Sequence, residues 1–317
     1  MVVVCPNTAV DRTVHVETLR VGAVERAYRA EVRAGGKGLN VARTLARLGV
    51  QAPVVGFVAG HTGVALRGLA ADAGIELHAV LVDGETRSCV TVLAGDGAAT
   101  VLNEPGPTVA SGDWARLEAA VERLLAPGVI LVVSGSLPAG SPPDGAARLV
   151  RGGHAHGATV VVDTSATALG EALAERPDLV APNIEEARAL LGGAAVEHVA
   201  VEDEAALPDA VAAARSLCGR GPAAALVTVG RHGAVLHARG ASVHVRAPKV
   251  TPVNPVGAGD ALVAGLVAGL ASSSDLVDAV RAGVATATAS VEAATAGDVD
   301  PDRARALGAQ VEAVPVV

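Results

Sequence analysis

Six short runs of mostly branched aliphatic residues recur along this chain, at 2–5, 54–58, 129–133, 159–162, 179–181 and 225–229. Each is apolar on both faces and too short for a helix, so each reads as a buried strand. Stretches with helical spacing lie between them. In 39–48, Val41, Leu45 and Leu48 share a face and Gly49 supplies a stop; 113–125 reads the same way. Buried strands alternating with helices predict an α/β fold: a mostly parallel central sheet with helices on both faces.

Two stretches break the pattern. Residues 12–34 and 86–104 alternate polar and apolar residues, the second around Gly95-Asp96-Gly97. Such alternation describes strands with one wet face, so a small antiparallel sheet projecting from the main layer is expected. No repeat or long linker divides the chain, and 1–317 is expected to form a single domain. The acidic stretch 197–209 reads as a solvated face.

Composition narrows the function. Aromatic residues make up 1% of the chain, namely Tyr28, Phe57 and Trp114, and the net charge is −8. A nucleic-acid partner is therefore not expected: there is no basic stripe for phosphates and no stacking platform for bases. A membrane is excluded on similar grounds. The longest charge-free run, 124–143, is interrupted by Gly128, Gly135, Pro138, Gly140 and Pro142. Residues 2–5 lack a basic flank and stop at Pro6, so they read as a strand and not a signal peptide. Cys5, Cys89 and Cys218 give neither a disulfide framework nor a metal spacing, which fits a cytoplasmic protein.

The sharpest local signal is Gly257-Ala258-Gly259-Asp260 ahead of a helical run at 261–270. Small residues let the backbone approach a ligand, and a helix starting here aims unpaired N–H groups at the same spot. Asp260 is then placed either to take a proton from a nucleophilic hydroxyl or merely to cap the helix. Gly35-Gly36-Lys37-Gly38-Leu39-Asn40 also opens a helix, but it lacks the spacing of a Walker loop. Lys37 is one of only two lysines, and its place in a glycine-rich turn favours phosphate binding over a solvated surface charge.

Three weaker signals complete the set. Asp11 suits sugar hydroxyls and Arg87 suits a phosphate, although each alone also fits a turn or a surface ion pair. Asn183 and Glu186 offer oxygens fit for a hydrated Mg²⁺, or simply open the next helix. The segment from Thr228 through Gly230 to Gly233 is either a nucleotide-contacting turn or a plain β-turn.

In order, these pieces resemble the PfkB branch of the ribokinase superfamily over nearly the full chain. The motifs that carry the likeness are 7–11, 35–43, 86–90, 103–106, 134–138 and 257–260. The subgroup they match is that of the 1-phosphofructokinases and tagatose-6-phosphate kinases. The resemblance implies a ribokinase-like fold with a β lid, formed by about 12–34 and 86–104, and a homodimer through the lids. It implies ATP and Mg²⁺, with K⁺ as a further candidate, and transfer to a ketohexose monophosphate. Fructose 1-phosphate going to fructose 1,6-bisphosphate is the favoured reaction. Tagatose 6-phosphate is the alternative substrate, and a non-catalytic sugar-phosphate-binding regulator is the alternative class.

The resemblance makes Asp260 the base and Gly257, Ala258 and Gly259 the anion hole. It sets Asp11, Gly35, Gly36, Asn40 and Ser136 on the sugar, and Lys37 and Arg87 on its existing phosphate. Ser134 and Arg26 are weaker assignments, the latter reaching across a dimer. Asn183, Thr228, Gly230 and Gly233 fall on nucleotide-contacting positions, and Glu186 on a Mg²⁺ position. Ala181 stands where such relatives usually carry Lys, Pro255 where they carry Thr, and Thr8 replaces a common Pro.

Overall fold

The structure is a computed structural model describing residues 1–192, 206–273 and 275–316. The first half contains β1 (Val2–Val4), β2 (Ala9–Val16), β3 (Arg29–Gly35), α1 (Lys37–Arg47), β4 (Val54–Ala59), α2 (Gly60–Asp72), β5 (Leu77–Val82), β6 (Arg87–Ala94), β7 (Ala99–Asn103) and α3 (Ser111–Glu122). Next come β8 (Ile130–Ser134), α4 (Gly145–Ala155), β9 (Thr159–Asp163), α5 (Ala166–Leu173), β10 (Leu179–Val180) and α6 (Ile184–Leu190). The remainder is α7 (Ala206–Cys218), β11 (Ala224–Thr228), β12 (Ala234–Ala238), β13 (Ala241–Arg246), α8 (Ala258–Ser272), α9 (Leu276–Ser290), α10 (Pro301–Gly308) and β14 (Glu312–Val316). Most of the acidic stretch 197–209 lies outside the described residues; Ala206 already belongs to α7.

A ten-stranded sheet runs in the order β14-β13-β12-β11-β10-β9-β8-β1-β4-β5. Every pairing from β11 to β5 is parallel, as the doubly apolar runs require. Alternate residues of β1 enter different cores. Val3 joins Leu39, Leu45 and Leu266 of α1 and α8 on one face. Val2 and Val4 join Trp114, Leu149, Leu169 and Leu217 of α3, α4, α5 and α7 on the other. The strands at 77–82, 234–246 and 312–316 escaped the sequence reading. Beyond β11 the sheet turns antiparallel through β12 to β14. That hairpin turns at Arg239-Gly240, both at positive φ (51° and 78°), a two-residue loop that alternation rules alone do not flag.

The second sheet, β3-β2-β6-β7, is where 12–34 and 86–104 were expected to pair. It is mixed and not wholly antiparallel: β2 and β6 pair in parallel, with Asp11 opposite Cys89. Both strands leave the main sheet in the same direction, one after β1 and one after β5, so only their hairpin partners β3 and β7 run back.

Behind the site, α8 and α9 pack almost backbone to backbone. A Cβ on Gly265 would stand 2.4 Å from Thr286 Oγ1, and one on Gly283 would stand 2.8 Å from the Leu262 carbonyl oxygen. No helix among the described residues is long and apolar enough to cross a membrane.

Candidate active site

Parallel α/β sheets expose their binding crevices at the carboxyl ends of the strands. Here those ends deliver Ser134 from β8 and Asp163 from β9, while Asn7 follows β1 and Asn183 follows β10. The amino ends of α1 and α8 bring Lys37 and Asp260 to the same place.

Asp260 does not cap its helix. Gly257, at φ 83°, supplies the N-cap of α8, a left-handed conformation that favours glycine, and no side chain caps the helix. The Asp260 carboxylate is buried and accepts a hydrogen bond from Asn40 Nδ2 at 2.9 Å. Burial raises its pKa to about 7; Lys37 and Asn40 pull it down, while Asp163 and Asp11 push it up. Such a carboxylate is tuned to exchange a proton near neutrality. Gly259 faces open space, with nothing within 4 Å of where a Cβ would stand. The first-turn N–H groups of Gly259 and Asp260 have no acceptor within the helix.

Lys37 directs its ammonium at two carboxylates. Its Nζ lies 3.1 Å from Asp163 Oδ1 and 3.3 Å from Glu186 Oε1. Burial opposes the charge, but Asp163, Glu186 and Asp260 overcome that and hold Lys37 protonated well above the usual lysine range. The lysine thus sits between Asp260 and the residues expected near the nucleotide. Asp163 was missed by the sequence reading; the signal was a carboxylate ending the apolar run Thr159-Val160-Val161-Val162. It also accepts a long hydrogen bond, 3.4 Å, from Ser134 Oγ.

Asn183 and Glu186 open the next helix, as one of the two sequence expectations had it. They form a capping box at the start of α6: Glu186 N–H donates to Asn183 Oδ1 at 2.8 Å, and Asn183 N–H to Glu186 Oε2 at 3.0 Å. That leaves Glu186 Oε1 turned to Lys37. A β-bridge joins Asn183 to Thr228, so the turn carrying Gly230 and Gly233 rises from the same end of the sheet.

The root of the second sheet forms the other wall. Burial raises the pKa of Asp11, opposed by Arg43, the Gly36 amide, Arg87 and Asn40. Gly35 packs so tightly on Asp11 that a Cβ would stand 2.0 Å from its carboxyl carbon. Gly36 needs its φ of 94° to start α1. Arg87 donates twice to the Asn7 carbonyl oxygen, at 3.1 and 3.3 Å. Asn7 Nδ2 donates to Ser136 Oγ at 3.0 Å, while Asn7 Oδ1 is buried without a partner. Asn7 therefore links Arg87 to Ser136, a role its motif alone did not reveal.

Of the departures, Ala181 is buried at the end of β10 and its N–H donates to the Val162 carbonyl oxygen. Pro255 lies in a loop held by its neighbour. Asn254 Oδ1 accepts from Val256 N–H at 3.0 Å and its Nδ2 donates to the Ala294 carbonyl oxygen, so the loop closes without an N–H at 255.

Comparison with known proteins identifies the family. The family model described as pfkB family carbohydrate kinase matches residues 1–303. A 1-phosphofructokinase of Xanthomonas campestris is 34% identical over 312 residues, covering 96% of this chain and 95% of the relative. A 1-phosphofructokinase of Rhodobacter capsulatus is 37% identical over 278 residues, covering 87% and 85%. Among solved structures, phosphofructokinase-2 of Escherichia coli in complex with potassium superposes with a TM-score of 0.88 at 27% identity, over 98% of both chains. The chain belongs to the pfkB family of carbohydrate kinases.

Proposed function

We propose that this protein is an ATP-dependent kinase that converts fructose 1-phosphate to fructose 1,6-bisphosphate. The observation that carries the reading is the buried Asp260 carboxylate at the open amino end of α8, held by Asn40. Asp260 takes the proton of the C6 hydroxyl as that oxygen attacks the γ-phosphorus of ATP and the bond to the β-γ bridging oxygen breaks. The proton ends on Asp260 and ADP departs. The N–H groups of Gly259 and Asp260 receive the charge on the transferring group, so positioning and electrostatics supply the catalysis. Asp11, Gly35, Gly36 and Ser136 surround the sugar, with Asn40 shared between sugar and base. Arg87, at the root of the second sheet, suits the standing phosphate. Lys37, held between Asp163 and Glu186, suits the phosphoryl in transfer.

Mg²⁺ fits beside these residues. Two carboxylate oxygens, from Asp163 and Glu186, already converge on a cationic group, the Lys37 ammonium. No cluster of three or more ligating side chains occurs among the described residues, which suits an ion that keeps waters and phosphate oxygens in its shell. When bound, Mg²⁺ would supply charge neutralisation of the nucleotide phosphates. Asn183, Thr228, Gly230 and Gly233 line the neighbouring nucleotide wall, and K⁺ is carried as a further candidate ion.

The chain is read as a single unit whose second sheet serves as a lid and as the surface of a homodimer. Supporting this, Val21, Val24, Tyr28 and Leu102 are all more than half exposed on or beside that sheet. A cytoplasmic location accords with the free cysteines.

The test is a panel of sugar phosphates with ATP and the purified protein, with product position read by NMR. Turnover of fructose 1-phosphate at C6 is expected. Preferential turnover of tagatose 6-phosphate would assign the rival substrate. Asp260→Asn should abolish turnover while calorimetry still detects sugar-phosphate binding, and binding without turnover in the native protein would mark a regulator.

A further inference from the structure

Arg43 lies in α1, one turn beyond Asn40, and is 7% exposed. Its guanidinium ends among acceptors that carry no formal charge. Nη1 donates to Asn40 Oδ1 at 2.9 Å and to the Ala296 carbonyl oxygen at 3.4 Å, and Nη2 donates to the Ala34 carbonyl oxygen. Asp11, Asp298 and Asp260 balance its charge at longer range, against Arg33.

These contacts have a chemical direction. A carboxamide has one accepting end and one donating end, and a guanidinium only donates. While Arg43 holds Oδ1 of Asn40, the amide must turn Nδ2 toward Asp260, and the observed 2.9 Å bond follows. With the amide reversed, two oxygens would face each other in a buried site, which penalises the ionised base. The carbonyl oxygens bound by Arg43 belong to separate walls. Ala34 precedes the glycines beside Asp11, while Ala296 packs on Gly257, 2.8 Å from where a Cβ would stand. Thr44 Oγ1 adds a bond to the Gly297 carbonyl oxygen at 3.3 Å.

We propose that Arg43 is a positioning residue: it fixes the direction of the Asn40 amide toward Asp260 and ties the sugar-side glycines to the segment behind the anion hole. This rests on the reading of Asp260 as base. The groups facing Asp260 are Lys37, Asp163, Asp11, Asn40 and, at longer range, Arg43 and the Cys5 thiol.

The test compares wild type, Arg43→Lys, Arg43→Met, Asn40→Ala and the Arg43→Met/Asn40→Ala double variant. Arg43→Met should lower kcat roughly 10- to 100-fold, as expected for a misplaced catalytic group. It should also move the acid limb of the kcat profile to higher pH, with Arg43→Lys intermediate. In the Asn40→Ala background the Arg43→Met change should add little to that shift. Loss of thermal stability with an unmoved acid limb, or fully additive shifts, overturns the proposal. A second readout is independent of turnover: the Asn40 side-chain amide ¹H–¹⁵N resonance, assigned by its loss in Asn40→Ala. It should follow Asp260 ionisation in wild type and follow it less in Arg43→Lys, which keeps the charge should Arg43→Met not fold. An unchanged dependence in Arg43→Lys also overturns the proposal. Full activity in Asp260→Asn would sink the base reading alone, since the resonance still reports amide direction.

Discussion

Lys37 Nζ lies 3.1 Å from Asp163 Oδ1, joining the first residue of α1 to the last residue of β9 across 126 positions. An ammonium held this way is aimed by the main sheet, not by the second sheet where Arg87 stands. Lys37→Met should therefore lower kcat roughly 10²- to 10³-fold, the scale for removing one group that stabilises transition-state charge. The KM for sugar phosphate should change only a few-fold. A large rise in KM at unchanged kcat would instead put Lys37 on the standing phosphate.

The raised pKa of Asp260, about 7, sets a pH dependence. As the proposed base, Asp260 must be ionised to accept a proton, so kcat should rise with pH and level off above neutrality. Steady-state rates between pH 5.5 and 8.5 at saturating substrates would show this limb, and a flat profile would contradict it.

The same shift acts on stability in the opposite sense. Unfolded, the group has its ordinary pKa near 3.8; folded, it keeps its proton until about 7. Between those values the native state binds more protons than the unfolded state, so this group's contribution falls as pH rises and is constant above the folded pKa. Asp260→Asn should consequently be more stable than wild type at pH 8, by roughly 1–3 kcal/mol, and lose that advantage near pH 4. Calorimetric unfolding at the two pH values checks it.

Gly35→Ala should leave the fold intact yet damage the sugar site. The added methyl would overlap the flexible end of Asp11, not backbone, so the carboxylate swings away at small structural cost. The sugar-phosphate KM should rise roughly tenfold or more, the scale of a lost hydrogen bond to a charged group, with Tm nearly unchanged. A Tm drop without a KM change would show that the glycine serves only packing.

Val21→Asp with Val24→Asp should convert the proposed dimer to monomer in sedimentation velocity. Both side chains are nearly fully exposed in the single chain. An unchanged sedimentation coefficient would remove the second sheet as the dimer surface.

The main sheet was legible because its strands are apolar on both faces, a pattern few other architectures tolerate. The antiparallel extension from β12 to β14 was not, because His237 breaks the short apolar run of β12 and β13 and β14 mix buried with exposed positions, a composition that resembles loops. The site was legible where chemistry and spacing coincide, at Gly257-Ala258-Gly259-Asp260 and around Lys37. Its electrostatics were not: Asp163 looks like the end of a valine run, and Arg43 looks like an ordinary helix residue until its acceptors are seen. Those roles depend in part on residues 126 and 253 positions away, which local patterning does not encode.

The interlock of α8 with α9 carries a consequence for tolerance to change. With glycines at the crossing, backbone comes up against backbone and little room remains to absorb a displacement, so the helix bearing Asp260 is mounted like a shaft in a fitted bearing. One methyl at Gly283 would meet the Leu262 carbonyl oxygen, just two residues beyond Asp260. It would act as a shim and tilt the anion hole without touching a ligand. Kinetic lesions in this enzyme should thus trace to a seam of hydrogen atoms in its interior as readily as to the crevice itself.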